Sequence, residues 1–557
     1  MNVEKPWLRH YPAEVSPTYD YPKRNVAQFL IQTAEKSPQL DAIYFMGKKM
    51  KYNQLLDKCY RFANGLLELG IKKGDRVAIM LPNCPQAVIA FYGSLLIGAI
   101  VVQTNPMYTE RELEHQMVDA GAKVIVTLDL LYRKVMKIRH TTDIERVIVT
   151  SIKDYLPFPL NLLYPIKAKK DGLDLTVQYS DVVSSFKKHI ASASNSPVHV
   201  ELDAENDLAL LQYTGGTTGL SKGVQLTHYN IVSNTMQLMK WVYRVREGKE
   251  VFLGALPIFH VFGMTVMMNQ AIFLGGMMVL LPKFDPESVL KAITKQKVTI
   301  FPGAPTMYIA LINHPKVKEY DLSSVQICVS GAAGLPNEVQ ERFEQISGGC
   351  LIEGYGLTEA SPVTHANPVW DYRKSGTIGI PMPDTIAKVV DPQTGDELPI
   401  GEIGELIITG PQIMKGYWNR EEETRNTLRD GWLYTGDMAK MDEEGFFSIV
   451  DRKKDLIIAG GFNIYPREVE EVLYEHPKIK EAVAVGVPDE YRGETVKAFI
   501  VLKEGETVTQ EELNIWCRER LAAFKVPRKF EFREALPMTM VGKVLRRKLL
   551  EEEEKAV

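Results

Sequence analysis

At 557 residues the chain is longer than one hydrophobic core ordinarily supports, so two or more domains are expected. Its 45% hydrophobic and 24% charged residues are those of a soluble globular protein, and a formal net charge of −4 is too small to mark nucleic acid as a main partner. The five cysteines (Cys59, Cys84, Cys328, Cys350 and Cys517) are odd in number, scattered and free of any C-x-x-C, which argues for reduced thiols in a cytosolic protein and against a disulfide frame or zinc site. The opening stretch MNVEKPWLRHYP lacks the apolar run of a signal peptide.

From 25 to 130 helical and strand patterns alternate. NVAQFLIQTAEKSP and NQLLDKCYRFANGLLELG carry apolar residues at helical spacing, whereas DRVAIMLP and AKVIVTLD are short apolar runs between turn residues. Such alternation predicts βαβ units around a parallel sheet. VIAFYGSLLIGAIVVQ (88–103) is too short for a bilayer span and is expected as a buried helix followed by a strand. YLPFPLNLLYPIKAKK (155–170) is apolar, broken by prolines and then basic. It has two readings: a surface loop rich in proline, or a segment lying on a bilayer with Lys167, Lys169 and Lys170 near lipid phosphates.

The strand LALLQY (208–213) leads into YTGGTTGLSKGV (213–224), after which GVQLT is extended and a helix begins near Thr227. Gly219 to Gly223 match the G-x-S-x-G of a serine hydrolase, but that motif needs its serine at the end of a strand on a turn into a helix. Ser221 comes eight residues past the strand, inside a loop between strands. Nor is this a Walker A loop, because Lys222 is flanked by Ser221 and Gly223. What remains is a flexible ribbon whose backbone N–H groups, hydroxyls and one lysine suit phosphate.

GMTVMMNQAIFLGGMMVLL (263–281) is interrupted by Asn269, Gln270 and a Gly275-Gly276 break, which argues against a span. The βαβ texture returns at 286–360 with helix PESVLKAITKQK, strand VTIFPG, helix PTMYIALINHP, strand VQICVSG, helix NEVQERFEQIS and strand LIEGYG. From 376 to 450 short strands (TIAKVVD, GELIITG, FFSIVD) lie between turn residues, a small β-rich subdomain. DRKKD (451–455) then reads as a solvated hairpin turn or as a hinge. About a hundred residues of α+β pattern follow, with Pro466 opening a helix, strands at EAVAVGV and TVKAFIVL, and a Thr509–Glu512 capping box. That piece is large enough for its own core, which favours the hinge.

Eight ordered stretches resemble the core motifs of the adenylate-forming enzymes: YTGGTTGLSKGV, LPIFHVFG (256–263), VSGAAGLP (329–336), EGYGLTE (353–359), GELIITGPQIMKGYW (404–418), DGWLYTGD (430–437), IVDRKKDLIIAGGFNIYPREVE (449–470) and PMTMVGKVLRRKL (537–549). DGWLYTGDMAKMDEEGFFSIVDRKK, PMYTERELEHQMVDAGAK (106–123) and WLRHYPAEV (7–15) are similar to those of bacterial long-chain fatty acid–CoA ligases. The resemblance implies an α/β fold in which residues 1–450 form a large N-terminal adenylation domain with βαβ subdomains and the β-rich part at about 376–450. A hinge at 451–455 and a mobile, smaller α+β C-terminal lid at 456–557 complete it.

The implied activity joins medium- to long-chain fatty acids to CoA through an acyl-adenylate, with ATP, CoA and magnesium. The alternative in the same family hands the acyl group to a carrier protein. Tyr213, Thr214, Gly215, Gly216, Thr217, Thr218, Gly219, Ser221 and Lys222 would hold the phosphates. Gly331, Ala332 and Ala333 would admit adenine, with Gly354, Tyr355, Gly356 and Thr358 beside it and Tyr355 stacked on the base. Glu359, with Thr214, would bind magnesium. Asp437 would accept from the ribose hydroxyls, and Ile449 and Arg452 would complete the nucleotide site. His260 would border the carboxylate, and Lys543 would stand between carboxylate and α-phosphate. Gly460, Gly461 and Phe462 would line a pantetheine channel. Met264 stands where some long-chain relatives carry a tryptophan gate. Peripheral attachment to the inner face of the membrane and a homodimer are the implied associations, and nucleic acid is not a partner.

Overall fold

The computed structural model describes residues 5–214, 221–459, 462–489, 492–539 and 544–556. Its contacts divide into two compact units, one of His10–Thr385 with Thr409–Gly431 and one of Met1–Arg9, Ile386–Ile408 and Trp432–Val557.

The larger unit carries two sheets. In the first, strands Arg76–Met80, Ile100–Gln103, Val124–Leu128, Arg146–Thr150 and Leu208–Thr214 run parallel, joined by crossovers such as the helices Pro85–Leu96 and Glu110–Ala120. Helix Pro85–Leu96 is buried along its whole length, and this is why its sequence is apolar all round. Strand Lys222–Thr227 then returns antiparallel along Leu208–Thr214, and the short strand Gly416–Tyr417 pairs with it at the edge. In the second sheet Met277–Leu280, Val251–Gly254, Ile300–Gly303, Ile327–Ser330 and Cys350–Gly356 are parallel neighbours, flanked by the helices Pro286–Gln296, Pro305–Ile312 and Asn337–Ser347. These are the elements that the spacing of apolar residues predicts between 286 and 360.

The stretch 263–281 forms the helical pieces Val261–Gly263, Met264–Asn269 and Gln270–Leu274, then strand Met277–Leu280. Met264–Asn269 is wound as a π-helix, a form that often marks a functional position. Among the described residues no helix is long and apolar enough to cross a membrane. Residues 155–170 contain an α-helix, Leu160–Lys170, with Pro165 inside it and only Ala168 buried.

In the smaller unit the β-rich strands Ile386–Val390, Gly404–Thr409, Trp432–Met441 and Phe447–Arg452 share a sheet. The N-terminal segment closes it: Trp7 is 1% exposed and packs against Phe447, ring centroids 6.0 Å apart. Gly445 makes this approach possible, because at φ +86° a side chain there would be strained and a Cβ would lie 2.3 Å from the Trp7 nitrogen. The α+β part pairs Ile479–Asp489 antiparallel with Gly493–Leu502 and adds Ile457–Ala459, Phe462–Ile464 and Lys529–Phe532. Val469 and Leu473 of helix Pro466–Tyr474, and Leu513 and Cys517 of helix Gln510–Arg518, bury themselves on that sheet. Thr509 Oγ1 accepts from the Glu512 amide and the Glu512 carboxylate accepts in return from the Thr509 amide, as the capping box requires.

Candidate active site

The phosphate ribbon springs from a hairpin. Thr214 and Lys222 stand directly opposite at the ends of their strands, with residues 215–220 between them. Gly215, Gly216, Thr217, Thr218 and Gly219 therefore lie outside the described residues. Ser221 precedes a strand rather than a helix, the wrong setting for a nucleophile elbow. Its carbonyl lies 3.1 Å from His115 Nε2. Tyr213 anchors the hairpin from behind: its hydroxyl donates to Asp119 Oδ2 at 2.6 Å, while Arg420 pairs with Asp119 Oδ1 at 3.2 Å. Burial, followed by the bond to Asp119, pushes the Tyr213 phenol up, so the proton stays on tyrosine. The half-buried Lys222 ammonium sits 5.4 Å from the centre of the Tyr417 ring, with the Glu423 carboxylate 3.9 Å away.

Glu359 lies in the turn Thr358–Ala360, where its carbonyl accepts from the Met414 amide at 2.8 Å. Tyr417 donates its hydroxyl to Glu359 Oε1 at 2.7 Å. Burial and then the neighbouring carboxylate raise the Tyr417 phenol, which again keeps the donor protonated. Tyr417 thus touches both Glu359 and Lys222 and holds a carboxylate beside the mouth of the hairpin. The motif GPQIMKGYW does not by itself give this tyrosine a role. The fold identifies it, because strand Gly416–Tyr417 pairs with Lys222–Thr227.

The loop 256–263 is pinned to the same hairpin. Gln212 donates to the Phe259 carbonyl at 3.0 Å, and Asn83 donates to the Gly254 and Leu256 carbonyls while accepting from the Ile258 amide. His260 Nδ1 accepts from the Phe262 amide at 3.3 Å and starts the helical run that follows. The Phe262 ring lies against Gly331, where a Cβ would come within 2.9 Å of it, so only glycine fits at the head of Gly331-Ala332-Ala333. Ala332 adopts φ +72°, a left-handed conformation uncommon for alanine that turns the loop sharply after strand Ile327–Ser330. Gly354, Tyr355 and Gly356 end the neighbouring strand Cys350–Gly356, and Tyr355 meets His365 edge-on, ring centroids 5.9 Å apart. Burial holds His365 down at about 3, so it is neutral at any physiological pH.

In the smaller unit Asp437 and Arg452 are cross-strand partners, and Arg452 Nε lies 3.2 Å from Asp437 Oδ1. Asp437 follows Gly436, and its amide donates to Thr435 Oγ1 at 3.1 Å. Ile449 stands opposite Ala439 on the same pair of strands. Residues 453–455 form a tight turn after strand Phe447–Arg452, closed by the Asp455 amide donating to the Arg452 carbonyl. Asp451 is buried and accepts from the Arg452 and Arg467 amides at 2.7 and 2.8 Å. Arg546 reaches Asp455 at 3.4 Å and Glu470 at 2.5 Å. The backbone of Phe462 pairs with Ala459, while Gly460, Gly461 and Lys543 lie outside the described residues.

Within the larger unit an apolar cavity lies between helix His228–Trp241, the helical run 264–274 and the second sheet, with Trp241, Val242, Phe252 and Ile300 in its wall. Val266 and Gln270 face it from the helical run, and Met264, fully buried, is not among the residues that line it. Among the described residues no three His, Cys, Asp or Glu side chains cluster to hold a metal ion.

Residues 30–418 match the AMP-binding enzyme family and residues 468–543 match the AMP-binding enzyme C-terminal domain. The chain belongs to the AMP-binding enzyme family, and its fold is that of the adenylate-forming enzymes, with a large N-terminal and a smaller C-terminal domain. It is 54% identical over 556 residues, 99% of each chain, to a long-chain-fatty-acid–CoA ligase of Bacillus subtilis. It is 40% identical to a long-chain-fatty-acid–CoA ligase of Escherichia coli, covering 99% of this chain and 98% of that one. Among solved structures, ATP-bound MatB from Rhodopseudomonas palustris superposes with a TM-score of 0.84 at 31% identity, over 96% of this chain and 99% of that one.

Burial raises the Asp451 carboxyl to about 6, above the value near 4 of an unfolded aspartate. Below about pH 4 both states are protonated and nothing is lost. Between about 4 and 6 the unfolded chain gives up its proton first, so stability falls as pH rises, by about 2–3 kcal/mol once pH exceeds 6. Asp451→Asn leaves one side-chain oxygen for the two backbone amides at every pH but abolishes this slope. Denaturant midpoints from pH 4 to 7 should show the stability advantage of the parent over the variant shrinking by about 2 kcal/mol; a constant difference would refute the assignment.

Proposed function

We propose that the chain activates medium- to long-chain fatty acids and transfers them to coenzyme A. In the first half-reaction a carboxylate oxygen attacks the α-phosphorus of ATP and pyrophosphate leaves, giving an acyl-adenylate. In the second the CoA thiol gives up its proton, its sulfur attacks the acyl carbon and AMP leaves. The mixed anhydride is needed because a free carboxylate would have to expel oxide. The observation that carries this reading is the 54% identity, over 99% of both chains, to a long-chain-fatty-acid–CoA ligase.

The residues divide the work by chemistry. Thr214, Ser221 and Lys222 would meet the phosphates at the mouth of the hairpin, with Gly215 to Gly219 supplying amides. Magnesium would arrive with the nucleotide, taking most of its oxygens from phosphates and water and one carboxylate from Glu359, with Thr214 nearby; one oriented carboxylate suits an ion that binds few protein oxygens. Asp437 would accept from the ribose hydroxyls, and Arg452, already paired with it, would stay oriented for the ribose or α-phosphate. His260 would border the carboxylate, and the apolar side chains between helix His228–Trp241 and the helical run 264–274 would have to part to admit the acyl chain.

Lys543 would neutralise the converging charge in the first step, and rotation of residues 456–557 about 451–455 would then withdraw it and admit CoA past Gly460, Gly461 and Phe462. The buried thiols Cys59, Cys84 and Cys328, pushed up by burial and so unreactive, suit a reducing, cytoplasmic setting. The helix Leu160–Lys170, with exposed leucines and terminal lysines, supports peripheral docking on a membrane.

Pyrophosphate release over a ladder of fatty acids should peak at medium to long chains, and AMP release should require CoA; no release with any fatty acid would overturn the reading. Adenylate accumulating with no CoA consumed would favour transfer to a carrier. Lys543→Ala should slow adenylate formation by about a hundredfold to a thousandfold, the scale of a lost charge-stabilising donor. Thioester formation from supplied acyl-adenylate should stay within about threefold of the parent, and equal loss in both halves would contradict the role. Tyr417→Phe, which removes one hydrogen bond of about 1 kcal/mol to Glu359, should lower kcat/KM for ATP roughly fivefold and raise the magnesium needed for half-maximal rate. An unchanged magnesium requirement would make Tyr417 merely structural.

A further inference from the structure

A groove in the larger unit lies apart from the hairpin and its proposed phosphate-binding residues. Strands Asp41–Phe45 and Lys48–Lys51, helix Tyr52–Glu68, the turn Ile152–Tyr155 and helix Phe186–Ser192 surround it. Its floor is apolar, made by Phe45, Met50 and Phe186, all buried. Its walls carry Lys48, Lys49, Lys58, Arg61 and Lys187 against two carboxylates, Asp57 and Asp154.

Lys58 is unusual among these. It is half-buried, and its Nζ lies 5.9 Å from the centre of the Tyr155 ring. Among the described residues no carboxylate forms an ion pair with it. Asp57 is engaged by Arg61 at 3.1 Å and by Asn195 at 2.8 Å, and Asp41 by Lys49 at 2.7 Å. Burial pulls the Lys58 ammonium down, Asp57 opposes this in part, and Lys48 and Arg61 add to it, so an added anion would meet an ammonium that lacks an ion-pair partner among the described residues. Asn53, Gln54 and Asp154 also face the groove and offer partners for hydroxyl groups.

Near the groove lies a run of exposed apolar side chains. Phe158, Ile166 and Leu162 are 78%, 67% and 62% exposed, too much for three large side chains within nine residues to be packing for their own sake. Met46, also exposed, sits in the turn between the two groove strands, and a Cβ on its neighbour Gly47 would lie 3.4 Å from Pro157. Pro157, the residue before Phe158, thus meets the turn at the edge of the groove, and Lys167, Lys169 and Lys170 place positive charge on the last turn of the following helix.

We propose that the groove is a headgroup site for an anionic membrane lipid of the phosphoglycerol type, occupied when Phe158 and helix Leu160–Lys170 enter the bilayer surface. The phosphate would lie on Lys58 between Lys48 and Lys187, and the glycerol hydroxyls would reach Asn53, Gln54 and Asp154. The upper acyl methylenes would cover Phe45 and Met50. A fatty acid monocarboxylate would leave two of three cations and all the hydroxyl partners unused. The inference rests on the docking reading above and adds a lipid preference that the exposed helix alone does not give.

Vesicle flotation of the full chain separates the two. The parent should bind vesicles containing phosphatidylglycerol and bind phosphatidylcholine vesicles more weakly. Lys58→Met should weaken binding to phosphatidylglycerol about tenfold and leave phosphatidylcholine binding unchanged, with the melting temperature and the turnover of a soluble short-chain acid as in the parent. The control Lys188→Met, which removes an exposed lysine outside the groove, should cost about the fivefold or less of one surface charge. Phe158→Ser with Ile166→Ser should lose both vesicles. If Lys58→Met binds as the parent does, or loses no more than Lys188→Met, the headgroup site is wrong while docking stands. If the parent binds neither vesicle, docking fails and the headgroup site with it.

Discussion

The antiparallel return of Lys222–Thr227 along Leu208–Thr214 is the constraint on which the larger site depends. The sheet is otherwise parallel over its central strands, so its loops would lead into helices. One antiparallel strand instead brings the chain back on itself and sets Thr214 across from Lys222. It also creates a free edge, and strand Gly416–Tyr417 covers it. That pairing delivers Tyr417 to Glu359 and to Lys222 at once. A carboxylate and an ammonium are thereby held near one neutral phenol that touches both, and the ion pair from Lys222 to Glu423 is long at 3.9 Å and easily given up to a phosphate.

The same economy of placement holds around the hairpin. Gln212 points one way to the Phe259 carbonyl beside His260, and the next residue, Tyr213, points the other way to Asp119. Alternation along a strand thus ties the ribbon to the loop 256–263 on one face and to helix Glu110–Ala120 on the other. Phe262 carries the connection on to Gly331, so strand Leu208–Thr214, the loop 256–263 and the loop Gly331-Ala332-Ala333 form one packed chain of contacts. A charged ligand needs donors that are already in position, because reorganising them during reaction would cost the stabilisation they provide.

Much of this was legible in the residues. The βαβ elements at 286–360 follow from apolar spacing, and the misplacement of Ser221 for a nucleophile elbow follows from counting past LALLQY. Glu359, Asp437 and Arg452 were reached through motifs, and the pairing of Asp437 with Arg452 is the geometry that two short β runs joined by a turn produce. Other features depend on partners far apart in sequence. Nothing local in GPQIMKGYW says that Tyr417 meets a carboxylate 58 residues away. Nothing in WLRHYP says that Trp7 docks on Phe447, since that contact exists only because Gly445 leaves room. The segment 155–170 was ambiguous for a different reason: a proline inside a helix is rare enough that its sequence pattern favours a loop, and the structure accommodates Pro165 where only Ala168 is buried.

The turn after Phe447–Arg452 shows what a rotation about 451–455 would have to disrupt. Arg467 holds the near side, its amide donating to Asp451 and its Nη1 to the Ile449 carbonyl at 3.1 Å. Arg546 and Glu470 both lie beyond the turn and would move together, so their contact survives any rotation there. The two bonds from Arg467 cross from one side to the other, and at about 1 kcal/mol each they add a modest cost to any rotation there. With its carboxyl held at about 6, Asp451 is mostly ionised at neutral pH, so a rotation that withdraws the Arg467 amide would have to move this charge from a buried site with two amide donors toward water.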